Sequence, residues 1–156
     1  MLILTVKTLH ILGVVLFLGT GLGSAWYKMR AGRSRDAAIA AWCDAEVVFA
    51  DWVFTVPSGV VVPATGLWLV YLYSLPLATP WVWQGITGYC IAGATWLPAA
   101  VLQIRMRRLS ARAAADGTAL SEDWYRMQKI WALLGLPSFG ATLAVVWMMV
   151  TKMGLL

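Results

Sequence analysis

Four runs of the chain, roughly residues 2–26, 49–74, 82–104 and 129–151, are long and apolar enough to cross a bilayer. A hydrocarbon core of about 30 Å takes about 20 helical residues. No water reaches a backbone at that depth, so each run must satisfy its own amides, and only a helix does so within one segment. The composition agrees: 61% of the residues are hydrophobic and 12% are charged, where a soluble domain has about a quarter charged. The chain of 156 residues is therefore expected to be one integral membrane domain with the lipid bilayer as its main partner. The first run starts at Leu2 without a basic segment before it and without a small-residue cleavage site after it, and reads as a retained helix.

The twelve basic residues exceed the seven acidic ones, but the excess lies in the connections between runs, so no nucleic-acid partner is expected. Segment 27–48 holds Lys28, Arg30, Arg33 and Arg35, and segment 105–128 holds Arg105, Arg107, Arg108, Arg112 and Arg126. "SLPLATP", at 74–80, has no charge. Positive charge marks the cytoplasmic side, which puts both termini outside a bacterial inner membrane. Tyr71, Tyr73, Trp81, Trp83 and Trp147 are expected in an outer aromatic belt, with Trp26, Tyr27, Trp52 and Trp131 near the inner one. Short connections favour antiparallel neighbours, so the expected fold is all-α: an up-down bundle of four transmembrane helices. "RDAAIAAWCDAEVVFADW" lacks Gly and Pro and can extend the second helix inward. Ser121 is the expected N-cap of the fourth, with Glu122 and Asp123 in its first turn.

Pro57 and Pro63, Pro98, and Pro137 fall inside the second, third and fourth runs. Each removes a backbone donor and kinks its helix, and each freed carbonyl must face protein or a polar cavity. His10, the only histidine, lies about 12 Å below the outer end of its helix at 1.5 Å per residue. It shares a face with Lys7, Val14, Phe17 and Gly21. An ionisable residue inside a span faces the bundle interior and is a functional candidate. Neutral imidazole is a good ligand for haem iron; a hydrogen bond to a neighbouring helix is the plainer role. Gly19 and Gly23 have GxxxG spacing, suited to close helix packing or to the approach of a flat cofactor. Asp44 and Asp51 lie two turns apart on one helix face, and a pair between Asp51 and Arg105 is expected to lock the second helix to the third. Cys43 and Cys90 lack metal-site spacing and read as structural thiols.

The stretches "VKTLHILGVVLFLGTGLG", "ADWVFTVPSGVVVPATGLWL", "GATWLPAAVLQIRMRRL" and "LGLPSFGATLAVVWMMVTK" resemble, in order, a bacterial family of small integral membrane proteins of unknown function. More distantly, the layout is similar to the HemJ-type protoporphyrinogen oxidases, four-helix membrane proteins associated with b-type haem. "KTLHILGVV" places Lys7 and His10 on that family's first-helix pattern. "PATGLWL" and "WYRMQKIWALLGLPSFGATLAVVWMMVTK" are similar to its second and last helices. The third helix departs: Gln84 stands where that family has a lysine.

The resemblance implies a haem-ligand role for His10 and leaves catalysis without an assigned residue. The leading expectation is a haem b protein in electron transfer or tetrapyrrole chemistry. Met148 or Met149, near the depth of His10, would be the second axial ligand, unless a second copy supplies its own His10. Lys7 or Lys152 would meet the haem carboxylates. A redox partner or a homo-oligomer follows from that reading. Two alternatives stand beside it: a packing or assembly subunit that uses the glycine ridge, and a copper-handling or transport protein, for which soft ligands are sparse.

Overall fold

A computed structural model describes residues 1–154. It contains four long helical rods, each apolar enough to cross a membrane. The first is α1 (Leu2–Ser34). The second combines α2 (Ala37–Ala50), a π-helical turn (Asp51–Thr55) and α3 (Val56–Leu72) in one continuous rod. The third is α4 (Pro80–Ala115) and the fourth α5 (Glu122–Thr151). The rods extend past the apolar runs at the end rich in arginine, as the absence of Gly and Pro from 36–52 suggested for the second.

Local chemistry sets the boundaries. Arg35 adopts a left-handed conformation (φ 58°) that stops α1. Asp36 then starts α2, its side chain accepting from the amides of Ala38 and Ile39 at 2.8 and 3.1 Å. Ser121 caps α5 by accepting from the Trp124 amide at 3.2 Å, as its sequence position predicts. Such caps satisfy amides that no helical carbonyl can reach.

The prolines are accommodated in two informative ways. Pro57 has no N–H to give Val53, and just before it the ladder widens to a π turn in which the Val56 amide reaches the Asp51 carbonyl. Pro63 leaves the Gly59 carbonyl without its helical donor. The Tyr89 hydroxyl, reaching across from α4, donates to that carbonyl. Tyr89→Phe should therefore leave a buried acceptor unmet and cost about 1–3 kcal/mol. Denaturant unfolding in mixed micelles will measure it, and an unchanged midpoint would mean that the carbonyl has another donor.

α4 packs along α5, α1 along α3, and α2 along α4, while α1 touches α5 only sparingly. The densest core lies at the arginine end, where Ala40, Ala99, Met106, Leu120, Trp124 and Trp131 come together. Toward the end bearing the termini, large side chains such as Leu4, Leu12, Leu16, Leu143 and Val150 point outward. In a bilayer these faces are solvated by acyl chains, so they need no protein partner. The bundle is tight at one end and joined by a looser seam at the other.

Small residues act where backbones approach. A Cβ on Gly13 would come within 2.9 Å of Val62, and one on Gly88 within 2.6 Å of Val145. Gly19, Gly21 and Gly23 have nothing within 4 Å of such a Cβ. The GxxxG ridge of Gly19 and Gly23 thus makes no close helix contact within this chain. The close approach uses Gly13 instead, one turn below His10.

Candidate functional site

His10 is buried on the face of α1 that meets α3. Its Nδ1 lies 3.0 Å from the Val62 carbonyl oxygen and 3.0 Å from the Thr65 hydroxyl. A carbonyl can only accept. The Thr65 hydroxyl already donates to the Val61 carbonyl at 2.6 Å, so it too accepts from His10. Nδ1 therefore carries the proton, and in a neutral imidazole Nε2 carries a bare lone pair. Gly66 makes this placement possible: a Cβ there would sit 3.1 Å from Cε1 of the ring.

Nε2 faces the Met149 sulfur of α5 at 3.5 Å, across the seam between the α1–α3 and α4–α5 pairs. A thioether has no proton to donate. Two lone-pair atoms thus face one another at membrane depth, at van der Waals separation. Below them lies a cavity of about 40 Å³, lined by Val14, Phe17, Val62, Tyr89 and Met149 among others. Among the described residues no three His, Cys, Asp or Glu side chains converge to hold a metal ion. Met148 is buried on another face of α5, and the sulfur that meets the imidazole is that of Met149.

Lys7 is exposed at the same end. Lys152 lies with its ammonium 4.1 Å from the Trp81 ring centre. Burial, and then the charge of Lys7, push the Lys152 pKa down. All seven acidic residues (Asp36, Asp44, Glu46, Asp51, Asp116, Glu122 and Asp123) belong to the other half of the bundle. Among the described residues no acidic side chain stands at the mouth above His10. Gly13 leaves no space for a flat ring, because Val62 fills the room its missing side chain would offer.

The strongest polar cluster is at the arginine end and was not anticipated. Lys28 and Asp44 form an ion pair with both side chains essentially unexposed. The Ser110 hydroxyl and the Trp124 indole N–H each donate to the second Asp44 oxygen at 2.8 Å. The Lys28 ammonium sits 5.6 Å from the ring centres of both Trp124 and Trp131. Gln128 donates to the Lys28 carbonyl at 3.1 Å. One residue or more from every rod enters this hub. Trp131 is accordingly a core residue and not part of an interfacial belt.

The pair expected between Asp51 and Arg105 is not formed. Arg105 lies on an exposed face of α4, as do Arg107 and Arg108, while Gln103, Met106 and Ser110 of the same helix turn inward. Asp51 is buried and accepts from the Thr55 hydroxyl at 2.7 Å. The signal for the ion pair that does form, Lys28 with Asp44, was the placement of Lys28 on a run with Ser24 and Ala31 at helical spacing. Its position next to exposed arginines masked it.

Four membrane-crossing helices, tied by a buried ion pair at one end and carrying a histidine–thioether pair at the other, define a polytopic integral membrane protein. The chain belongs to the family described as predicted integral membrane protein DUF2269, whose model matches residues 4–153. No curated protein and no solved structure matches it.

Proposed function

We propose that the protein is a small haem b-binding membrane protein in electron transfer or tetrapyrrole chemistry, in which His10 and Met149 would hold the iron. One observation carries this reading: Nδ1 of His10 donates to a backbone carbonyl, so the lone pair of Nε2 is aimed at the Met149 sulfur. That orientation is the usual way a protein fixes the tautomer and raises the basicity of a metal-binding histidine. His/Met ligation is a recognised way of holding haem iron.

The donor atoms suit iron, but at 3.5 Å they stand closer than bonds of about 2.0 and 2.3 Å on opposite sides of one metal would place them. Room for the macrocycle requires the α1–α3 and α4–α5 pairs to part along the seam, where they touch least. Lys7 and Lys152 would hold the propionates. Haem would supply one-electron chemistry; the chain would bind it, orient it and exclude water. The test is the absorption spectrum of protein purified after expression with ample haem. A Soret band is expected, and a colourless protein would overturn the reading.

A second reading, a bound copper(I) ion, has an observation of its own. First-row metal bonds of about 2.0 Å to nitrogen and 2.3 Å to sulfur span the observed 3.5 Å when the ligands meet at a tetrahedral angle. Imidazole and thioether together suit that ion. Metal analysis of the same sample separates the two: iron with a Soret band, or copper without one.

The excess of arginine at one end supports an inner-membrane orientation with that end cytoplasmic and both termini outside. Cysteines introduced at positions 78 and 114 should then react with impermeant reagents from opposite faces. Reaction of both from one face would refute this topology.

A further inference from the structure

Asp51 is 7% exposed, and its Oδ2 has no hydrogen-bond partner, the one such buried side-chain atom among the described residues. It opens the π turn above Pro57, about 32 Å from the end of α3 at 1.5 Å per residue, so it lies at the boundary of a hydrocarbon core about 30 Å thick, on the arginine-rich side. Its single hydrogen bond, from Thr55 to Oδ1, stays within its own helix and ties no two rods together. Gln103 of α4 lies beside the carboxyl without bonding Oδ2.

The surroundings supply no cation. The π turn packs against α1, α2 and α3. On α1, Lys28 is committed to Asp44; on α2, Asp44 is bound in return and Glu46 is exposed. The titratable group of α3, Tyr71, is at the far end of the rod, and on α4 Arg105 faces outward. An ionised carboxylate here would carry one oxygen with neither donor nor counter-charge, in a medium where buried charges neutralise when they are not paired. Ionisable groups inside a bundle mark ion and proton sites by default, and π turns recur where helices carry function.

We propose that Asp51 is a proton-binding site: Oδ2 takes up a proton from the arginine-rich face and returns it there. The proton comes from water or buffer at that face, the carboxylate becomes a neutral acid, and no other bond changes. Thr55 continues to donate to Oδ1. This inference is independent of what His10 binds.

The test uses the full chain in lipid vesicles. Infrared spectra at neutral pH should show a carboxylic-acid carbonyl band that Asp51→Asn lacks and Asp51→Glu shifts. The band should vanish as the pH is raised and return when it is lowered. Dicyclohexylcarbodiimide, which reacts with protonated carboxyls in apolar surroundings, should label Asp51 and spare Asp44, with labelling lost at high pH and unaffected by sodium ions. No band difference at neutral pH overturns the proposal. Protection by sodium overturns it as well, since the occupant would then be a metal cation. Asp51→Asn copies the shape of the protonated acid and should fold. If it does not, the shift in Asp51→Glu carries the same decision.

Discussion

Replacing Asp44 by alanine should destabilise the bundle by about 3–5 kcal/mol, the range for breaking a buried ion pair from one side. Lys28 would be left fully enclosed with its charge uncompensated. Ser110 and the Trp124 indole would lose their acceptor at the same time. The two tryptophan faces 5.6 Å away offset part of the loss but supply no anion. The double change Asp44→Leu with Lys28→Met removes both charges and fills similar volume, and should lie far closer to the wild type. Arg105→Ala, on an exposed face, should shift the unfolding midpoint by less than about 0.5 kcal/mol. Unfolding in mixed micelles gives all three values. If Asp44→Ala proves no worse than Arg105→Ala, the hub does not hold the arginine end together.

The second large effect concerns His10. His10→Ala should abolish the Soret band of the purified protein while the bundle stays inserted, because the arginine-end core and hub lie on other residues. Thr65→Val makes the informative contrast. It removes one of the two acceptors at Nδ1, but the Val62 carbonyl at 3.0 Å remains. The ring keeps its tautomer, so the band should persist. Met149→Leu should keep the colour and change the band positions, since one axial ligand is exchanged or lost while His10 remains. Retention of an unaltered spectrum in His10→Ala would refute His10 as the ligand and move the cofactor elsewhere. Loss of the band in all three variants alike would point to general collapse of the seam, which circular dichroism of the same samples would reveal.

Much of the fold was legible because membrane helices announce themselves by length and hydropathy. The four spans, the extension of the second rod beyond 49 and the Ser121 cap all follow from local rules, since a lipid-embedded backbone has so few alternatives. The prolines too were readable as places where carbonyls need outside donors. Which donor answers was not: Tyr89 reaches Gly59 from a helix 30 positions away, and only the tertiary arrangement of the bundle brings that side chain to α3.

His10 stood out as the one histidine, and the chain alone fixed its depth and its nearness to two methionines. The tertiary structure decided that Met149 is the one that meets it, and that its free lone pair points into the seam. A helix rotation of one residue, about 100°, selects between Met148 and Met149, and no local preference sets that rotation. The ion pair shows the same limit more sharply. Composition placed acids and bases at one end of the bundle, and counting residues made Asp51 and Arg105 look like neighbours. Helix rotation instead turns Arg105 outward and Lys28 inward onto Asp44. Hydrophobic pattern sets which segments enter the membrane; the mutual rotation of packed helices, a sum of many weak contacts distant in sequence, sets which polar groups meet inside it.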